Sequence, residues 1–479
     1  MRYSTLIQGG TVYTSTETAK ADIALSGEKI VAIAPHLPSE NTRVIDARGL
    51  LVIPGGIDVH VHCEIPFCGT VSADGFESAT RAAARGGVTT LIDFANQGGL
   101  PRLMDGVEAR IRQAEDKVCV DYSLHSSVSN YKKLKDPARE FRRLTDFGIP
   151  THKMYMIYEK EGWQSDDADI FAGLSETREM GGTIMVHAES ERVMNLLIDR
   201  YRREKKRWGA YAHVLSRPNF IEEEAVQRVI KWAEATRGHL YIVHLSTGGG
   251  ADLIHQAQHR GINVHAETCP HYLLLTDDVF KDRKRGHWYA TCPQIKKKAD
   301  QVRLWKGLER GDISVVSTDT CTFTTRQKDR WNGDFTKIPY GLPGVETMIP
   351  AVYTFGVKKG RFSVNHMVSL VATNPAKMMG LYPRKGTIAV GSDADLALID
   401  PSHVRTIDFK DMSTHCDWSP YQGLRMGGFP KYTFSRGRMV VDQGRFIGRR
   451  GWGRFIPREP WGWKKLNDGK GPRLFSSGR

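Results

Sequence analysis

The sequence predicts an α/β fold: a (β/α)8 TIM-type barrel with a small β-sandwich domain formed by the N- and C-terminal flanks. Three observations carry that expectation. Apolar, β-rich runs recur through the middle of the chain roughly every 30 to 60 residues with helical patterns between them, and a continuously apolar strand is one buried on both faces of a parallel sheet. Short strands separated by Gly and polar turns precede and follow that region. Several apolar runs end in His or Asp, at the rim where such barrels gather their chemistry.

At 479 residues and 53.8 kDa the chain can bury a barrel-sized core. Met1 to Gly10 lacks the apolar run of a signal peptide, and no stretch approaches a membrane span. Seven scattered cysteines, without a C-x-x-C pair, argue against a disulfide framework or a zinc ribbon and for a reducing, cytoplasmic setting. The formal net charge is +14, yet 14 Lys and Arg against three acids fall in the last 55 residues, so the basicity belongs to the tail. Arginines beside Trp452, Trp461 and Trp463 would suit nucleic acid only with a stacking motif, and none accompanies them. The expected role of residues 451–479 is contact with a neighbouring subunit.

In chain order, residues 1–53 hold short strands at Thr5 to Gln8, Thr11 to Tyr13, Ala21 to Leu25, Lys29 to Ile33 and Arg43 to Asp46, expected as a small antiparallel unit. Residues 54–385 carry the barrel. Its strands include Val88 to Asp93, Thr183 to His187, Leu240 to His244 and Ser314 to Asp319, with helices such as Glu222 to Thr236 and Gly249 to Arg260. Residues 386–450 return to strands at Thr387 to Ile388, Ala394 to Asp400, Thr433 to Ser435 and Arg438 to Asp442, expected to pair with the first flank.

The stretch Gly55 to His62 opens on a Pro-Gly-Gly turn and then alternates, so His60 and His62 share one strand face. Two imidazoles at a strand end can chelate an ion, although such a pair on its own is more often structural. Further candidates stand at other strand ends: Lys153, His187, His244 and Asp319. Nitrogen and carboxylate ligands converging on one rim suit zinc or a related transition metal.

These motifs resemble the amidohydrolase superfamily, and within it the cyclic amidohydrolases of the dihydropyrimidinase and hydantoinase type. The resemblance runs to about residue 445 through Pro54 to His62, Pro66 to Thr70, His152 to Tyr158, Val186 to Glu189, Ser216 to Pro218 and Val243 to Ser246. It continues through Glu267 to Leu273, Thr318 to Asp319, Phe335 to Pro339 and Asn374 to Lys377. It implies two divalent ions per subunit, zinc or else manganese. His60, His62 and Asp319 would hold the more buried ion, His187 and His244 the other, and Lys153 would bridge them as N6-carboxylysine, a carbamate formed with CO₂. A lysine ammonium cannot ligate a cation, whereas its carbamate can. The implied activity is hydrolysis of a cyclic amide by a metal-bridging hydroxide, with Asp319 as proton shuttle and Tyr158 as donor to the oxyanion. It also implies a homo-oligomer, dimer or tetramer.

The substrate-reading positions depart from the family. Cys292-Pro293-Gln294-Ile295-Lys296 stands where Ser-Pro-Pro-Leu-Arg is usual, and Ile338-Pro339-Tyr340-Gly341 where Ile-Pro-Asn-Gly is usual. Tyr340 is bulkier than Asn and should reshape the pocket. Phe67 and Glu64 lie in the loop after the first strand, and Glu64 occupies the position where dihydroorotases carry an arginine, which would repel an acidic ring. The expected substrate is therefore an atypical cyclic amide, imide or ureide. The alternatives are an allantoinase-like ureide hydrolase and a non-catalytic scaffold of the same fold.

Overall fold

A computed structural model describes residues 3–460. Eight strands form one parallel sheet in chain order: Gly56–Val61, Val88–Asn96, Asp121–Ser127, Thr151–Tyr155, Thr183–His187, His239–Ile242, Val264–Thr268 and Val315–Val316. A parallel bridge between Val61 and Thr320 brings the last strand back to the first. The continuous apolar runs are explained by burial. Every residue of the first, third, fourth and fifth of these strands is buried.

Helices pack outside, and two of them are started by side chains that satisfy a free N–H group. Asp136 accepts from the Arg139 amide before Pro137–Phe147, and Asp166 accepts from Asp169 before Asp167–Thr177. The sixth strand stops at Ile242 and the eighth at Val316, so His244 and Asp319 stand just beyond strands that were expected to include them.

The flanks join in a nine-stranded sheet. Leu396–Ile399 pairs antiparallel with Leu51–Pro54, uniting the two ends of the chain. The first flank is mixed where an antiparallel unit was expected. Thr5–Tyr13 runs antiparallel to Thr18–Ser26 but parallel to Arg43–Asp46 and Leu51–Pro54. The strand expected at Thr387 to Ile388 does not form, and Ile388 plugs the core shared by both flanks. Beyond the sheet, the terminal stretch runs under its own barrel. Ile456 N donates to Tyr122 O at 2.7 Å, and Arg458 reaches Ser123 Oγ at 2.9 Å and Thr151 Oγ1 at 2.7 Å. The rest of the arm expected to meet another subunit, residues 461–479, lies outside the described residues.

A buried ion cluster locks barrel to sheet. Lys385 Nζ lies 2.7 Å from Asp121, 2.6 Å from Asp395 and 3.2 Å from Asp393, and Arg436 Nε adds a 3.0 Å bond to Asp121. Burial raises the Asp393 carboxyl, but Lys385 with Lys29 and Arg384 overrides it and holds it at about 2, against 3.8 ordinarily. The unfolded chain then binds that proton first as pH falls. Stability contributed by Asp393 is complete above about pH 4 and lost as pH drops through about 2.

Lys385→Met leaves the buried Asp395 without a cation, and Asp121 and Asp393 with one partner fewer, and is expected to cost about 3–5 kcal/mol of unfolding free energy, read by chemical denaturation. A loss below about 1 kcal/mol would refute the lock.

Candidate metal centre

The rim above the strand C-termini is assembled across the barrel seam. Asp58, in the first strand, accepts from the amide of Thr318 at 3.0 Å and from its hydroxyl, and also from the His60 amide at 3.2 Å. This carboxylate ties the eighth strand to the first, and so sets Asp319 beside His60 and His62. Burial raises Asp58 to about 7 against those hydrogen bonds. Asp319, His244 and Tyr158 have positive φ, at 48°, 38° and 74°. For non-glycine residues this conformation costs on the order of 1–3 kcal/mol each, and it turns all three side chains at the strand ends.

Nε2 of His60 and Nε2 of His62 each lie 3.3 Å from Asp319 Oδ1. The other nitrogen of His60, Nδ1, bonds Glu267 Oε1, which fixes the tautomer and leaves Nε2 facing Asp319. Ring centroids of His60 and His244 are 5.3 Å apart, and those of His187 and His244 4.5 Å. Lys153 is 1% exposed, with Nζ 5.4 Å from the Phe94 ring and 5.3 Å from the Tyr155 ring. All six residues line one cavity of about 70 Å³. Tyr158, Cys292, Tyr340 and Phe67 line it too.

Burial keeps the imidazoles neutral, pushing His60 and His244 well below the usual histidine range and His187 below it. Burial likewise draws the Lys153 ammonium down to about 7, although Glu267 and Asp319 oppose it. Much of this lysine is then free amine at neutral pH, the form that combines with CO₂. Nδ1 of His62 and of His244 are buried without a partner. Ligand atoms of His60, His244 and Asp319 lie within 4.8 Å of one another, a nitrogen and carboxylate donor set that suits a divalent cation. The residues present fit such a group.

A second layer supports the first. His187 Nε2 bonds Glu189 at 2.8 Å, and Arg217 Nη1 lies 3.0 Å from the same carboxylate oxygen. Burial raises Glu189, but Arg217 and His187 more than cancel it and hold the carboxyl well below its usual range. Tyr158 stays protonated, its hydroxyl pushed up by burial and by the Cys292 thiol it bonds. Cys292 Sγ also meets Arg217 Nη1 at 3.2 Å and Glu189 Oε2 at 3.3 Å. The walls are aromatic, with Phe67 centred 6.1 Å from Tyr158, 6.3 Å from Trp163 and 5.9 Å from Tyr340.

Glu64 is a correction. Its carboxylate turns from the cavity to Lys117 at 3.4 Å and to the Phe76 amide at 3.4 Å, at the start of the helix Phe76–Arg85, so it cannot repel an acidic ring. A helix N-terminus and an ammonium attract it more than an apolar pocket does. Sequence reasoning assigned no role to Glu267, Glu189, Asp58 or Trp163. Asp58 had a signal: it is a carboxylate in the mainly apolar run Gly56 to Val59, and a buried carboxylate needs a partner.

The amidohydrolase family model matches residues 51–440. The D-hydantoinase of Geobacillus stearothermophilus is 38% identical over 451 residues, covering 94% of this chain and 95% of that protein. The D-hydantoinase of Ralstonia pickettii is 39% identical over 446 residues, covering 92% and 96%. The crystal structure of dihydropyrimidinase from Brevibacillus agri superposes with a TM-score of 0.92 at 35% identity, covering 96% of this chain and 99% of that one.

Glu267→Ala frees His60 to turn and is expected to weaken divalent-cation binding about 10- to 100-fold, measured by competition with a chromophoric chelator. Unchanged affinity would show that Glu267 does not orient the ligand.

Proposed function

The chain belongs to the amidohydrolase family, in its dihydropyrimidinase and hydantoinase branch, and on that premise we propose that it hydrolyses the amide bond of a cyclic amide, imide or ureide. The observation that carries this reading is the convergence of His60, His62, Lys153, His187, His244 and Asp319 on one aromatic-walled cavity. The same residues weigh against a non-catalytic scaffold, which would not need them together.

His60, His62, His187, His244, Asp319 and a carbamate on Lys153 would hold two divalent cations, zinc or manganese. When bound, that pair would polarise the amide carbonyl and acidify water at neutral pH. The chain's own residues do the rest. Asp319 takes a proton from the attacking water and returns it to the leaving ring nitrogen, serving as base and then acid. Tyr158, kept protonated, donates its O–H to the carbonyl oxygen as that oxygen gains charge. Phe67, Trp163 and Tyr340 line the cavity and would pack against the substrate ring. Cys292 and Tyr340 present their neighbouring main chain and shape the wall.

We assign residues 54–385 to the catalytic barrel and 1–53 with 386–450 to the β-domain. A homo-oligomer, as dimer or tetramer, and a cytoplasmic setting complete the reading. No helix among the described residues is long and apolar enough to cross a membrane, and the seven cysteines are free.

A screen of five- and six-membered cyclic amides, imides and ureides with zinc- or manganese-loaded protein tests the activity. Absence of any ring opening, with about two metals bound per chain, would overturn it. Lys153→Ala is expected to abolish turnover and to lower metal content below that of the parent. Full activity in that variant would remove the carbamate. Tyr158→Phe is expected to lower kcat about 10²- to 10³-fold with KM little changed, whereas a loss confined to KM would make Tyr158 a wall residue.

A further inference from the structure

Lys328 ends the short helix Thr325–Lys328 and is fully buried, at 0% exposure. Among the described residues it forms no ion pair. Burial draws the ammonium down to about 7, and the groups that oppose this are only the thiols of Cys321, Cys416 and Cys68. The Phe323 ring lies 5.7 Å from Nζ. An ammonium in such surroundings is costly. A hydrocarbon chain of similar length would fill the space without that cost. The charge is explained by what it holds.

Nζ donates to Pro339 O at 2.7 Å and to Ala290 O at 3.1 Å. These carbonyls lie on two separate segments. One continues through Thr291 to Cys292, and the other through Tyr340 to Gly341, and Cys292, Tyr340 and Gly341 all line the cavity. Ala290 O also accepts from Gly341 N at 3.0 Å, so this carbonyl receives one bond from the lysine and one from the opposite segment. The fit allows no slack. Gly341 sits at φ +136°, and a Cβ there would lie 2.2 Å from Cys321 O.

We propose that Lys328 is a positioning residue for the substrate, which pins the segments bearing Cys292 and Tyr340 at a fixed separation and so sets the width of the cavity wall. The inference rests on the reading that this cavity receives a cyclic amide. Two of the departures from the family pattern, Cys292 and Tyr340, sit on the two segments that one ammonium joins. Their spacing is thus a property of Lys328 as well as of their own side chains. Because it touches neither a ligand residue nor the reacting atoms, its loss widens the wall without removing a catalytic group.

Hydrogen exchange and steady-state kinetics on the metal-loaded full chain test this with Lys328→Met and Lys328→Gln. In Lys328→Met the Gly341 amide is expected to exchange at least about tenfold faster while the barrel strands keep their protection. KM for a cyclic amide opened by the parent should rise about tenfold with kcat within about threefold. Lys328→Gln, which keeps one donor group, should shift both less. Unchanged Gly341 exchange and unchanged KM would overturn the proposal. Unfolding of both variants would do so as well, by assigning the lysine to barrel stability. If the parent opens no cyclic amide, the functional reading fails by itself, and the exchange result still decides whether Lys328 pins the wall.

Discussion

The carboxylate of Asp58 joins the first and last strands of the barrel, taking hydrogen bonds from the amide and hydroxyl of Thr318 across 260 residues of chain. That bond stands behind the whole rim. A (β/α)8 sheet closes only if its ends meet in register, and here the meeting point lies beside the residues that carry the chemistry. One buried acid brings the His60 and His62 nitrogens within 3.3 Å of Asp319. It acts together with the backbone bridge between Val61 and Thr320, and both hold Asp319 facing the two histidines.

Three buried lysines show how the same cost is met in different ways. Lys385, under the barrel, is surrounded by Asp121, Asp393 and Asp395, which raise its pKa despite burial. This is a satisfied structural lock. Lys153 and Lys328 have no such partners, and burial brings each down to about 7. The first lies on the cavity floor and the second behind its wall. A buried ionisable group without an opposite charge, set beside a cavity, points to a role other than stability.

The two substrate-side departures from the family pattern are physically coupled. Cys292 Sγ lies 3.2 Å from Arg217 Nη1, and the Arg217 guanidinium stands 5.4 Å from the Tyr340 ring. Arg217 in turn bonds Glu189, which orients His187. A change at Cys292 is thereby connected to a candidate metal ligand through three hydrogen bonds. Substrate preference and the poise of the centre are not independent features of this chain.

The barrel was legible in the sequence because burial on both strand faces writes itself as continuous apolar runs, and the candidate ligands because polar residues ending such runs stand out. Thr183–His187 appears in the structure with the bounds that the run suggests. Roles for His60, His62, Lys153, His187, His244 and Asp319 came from their order and their resemblance to a family. Tertiary structure alone decided the rest. It turned Glu64 out of the pocket toward Lys117, bent His244 and Asp319 into left-handed backbone beyond shorter strands, and brought Glu267 to His60 and Lys328 to Ala290 from other segments. Strand periodicity is a local property of the chain, written in neighbouring residues. Which buried charge meets which partner depends on contacts between positions tens to hundreds of residues apart, and no local pattern encodes those.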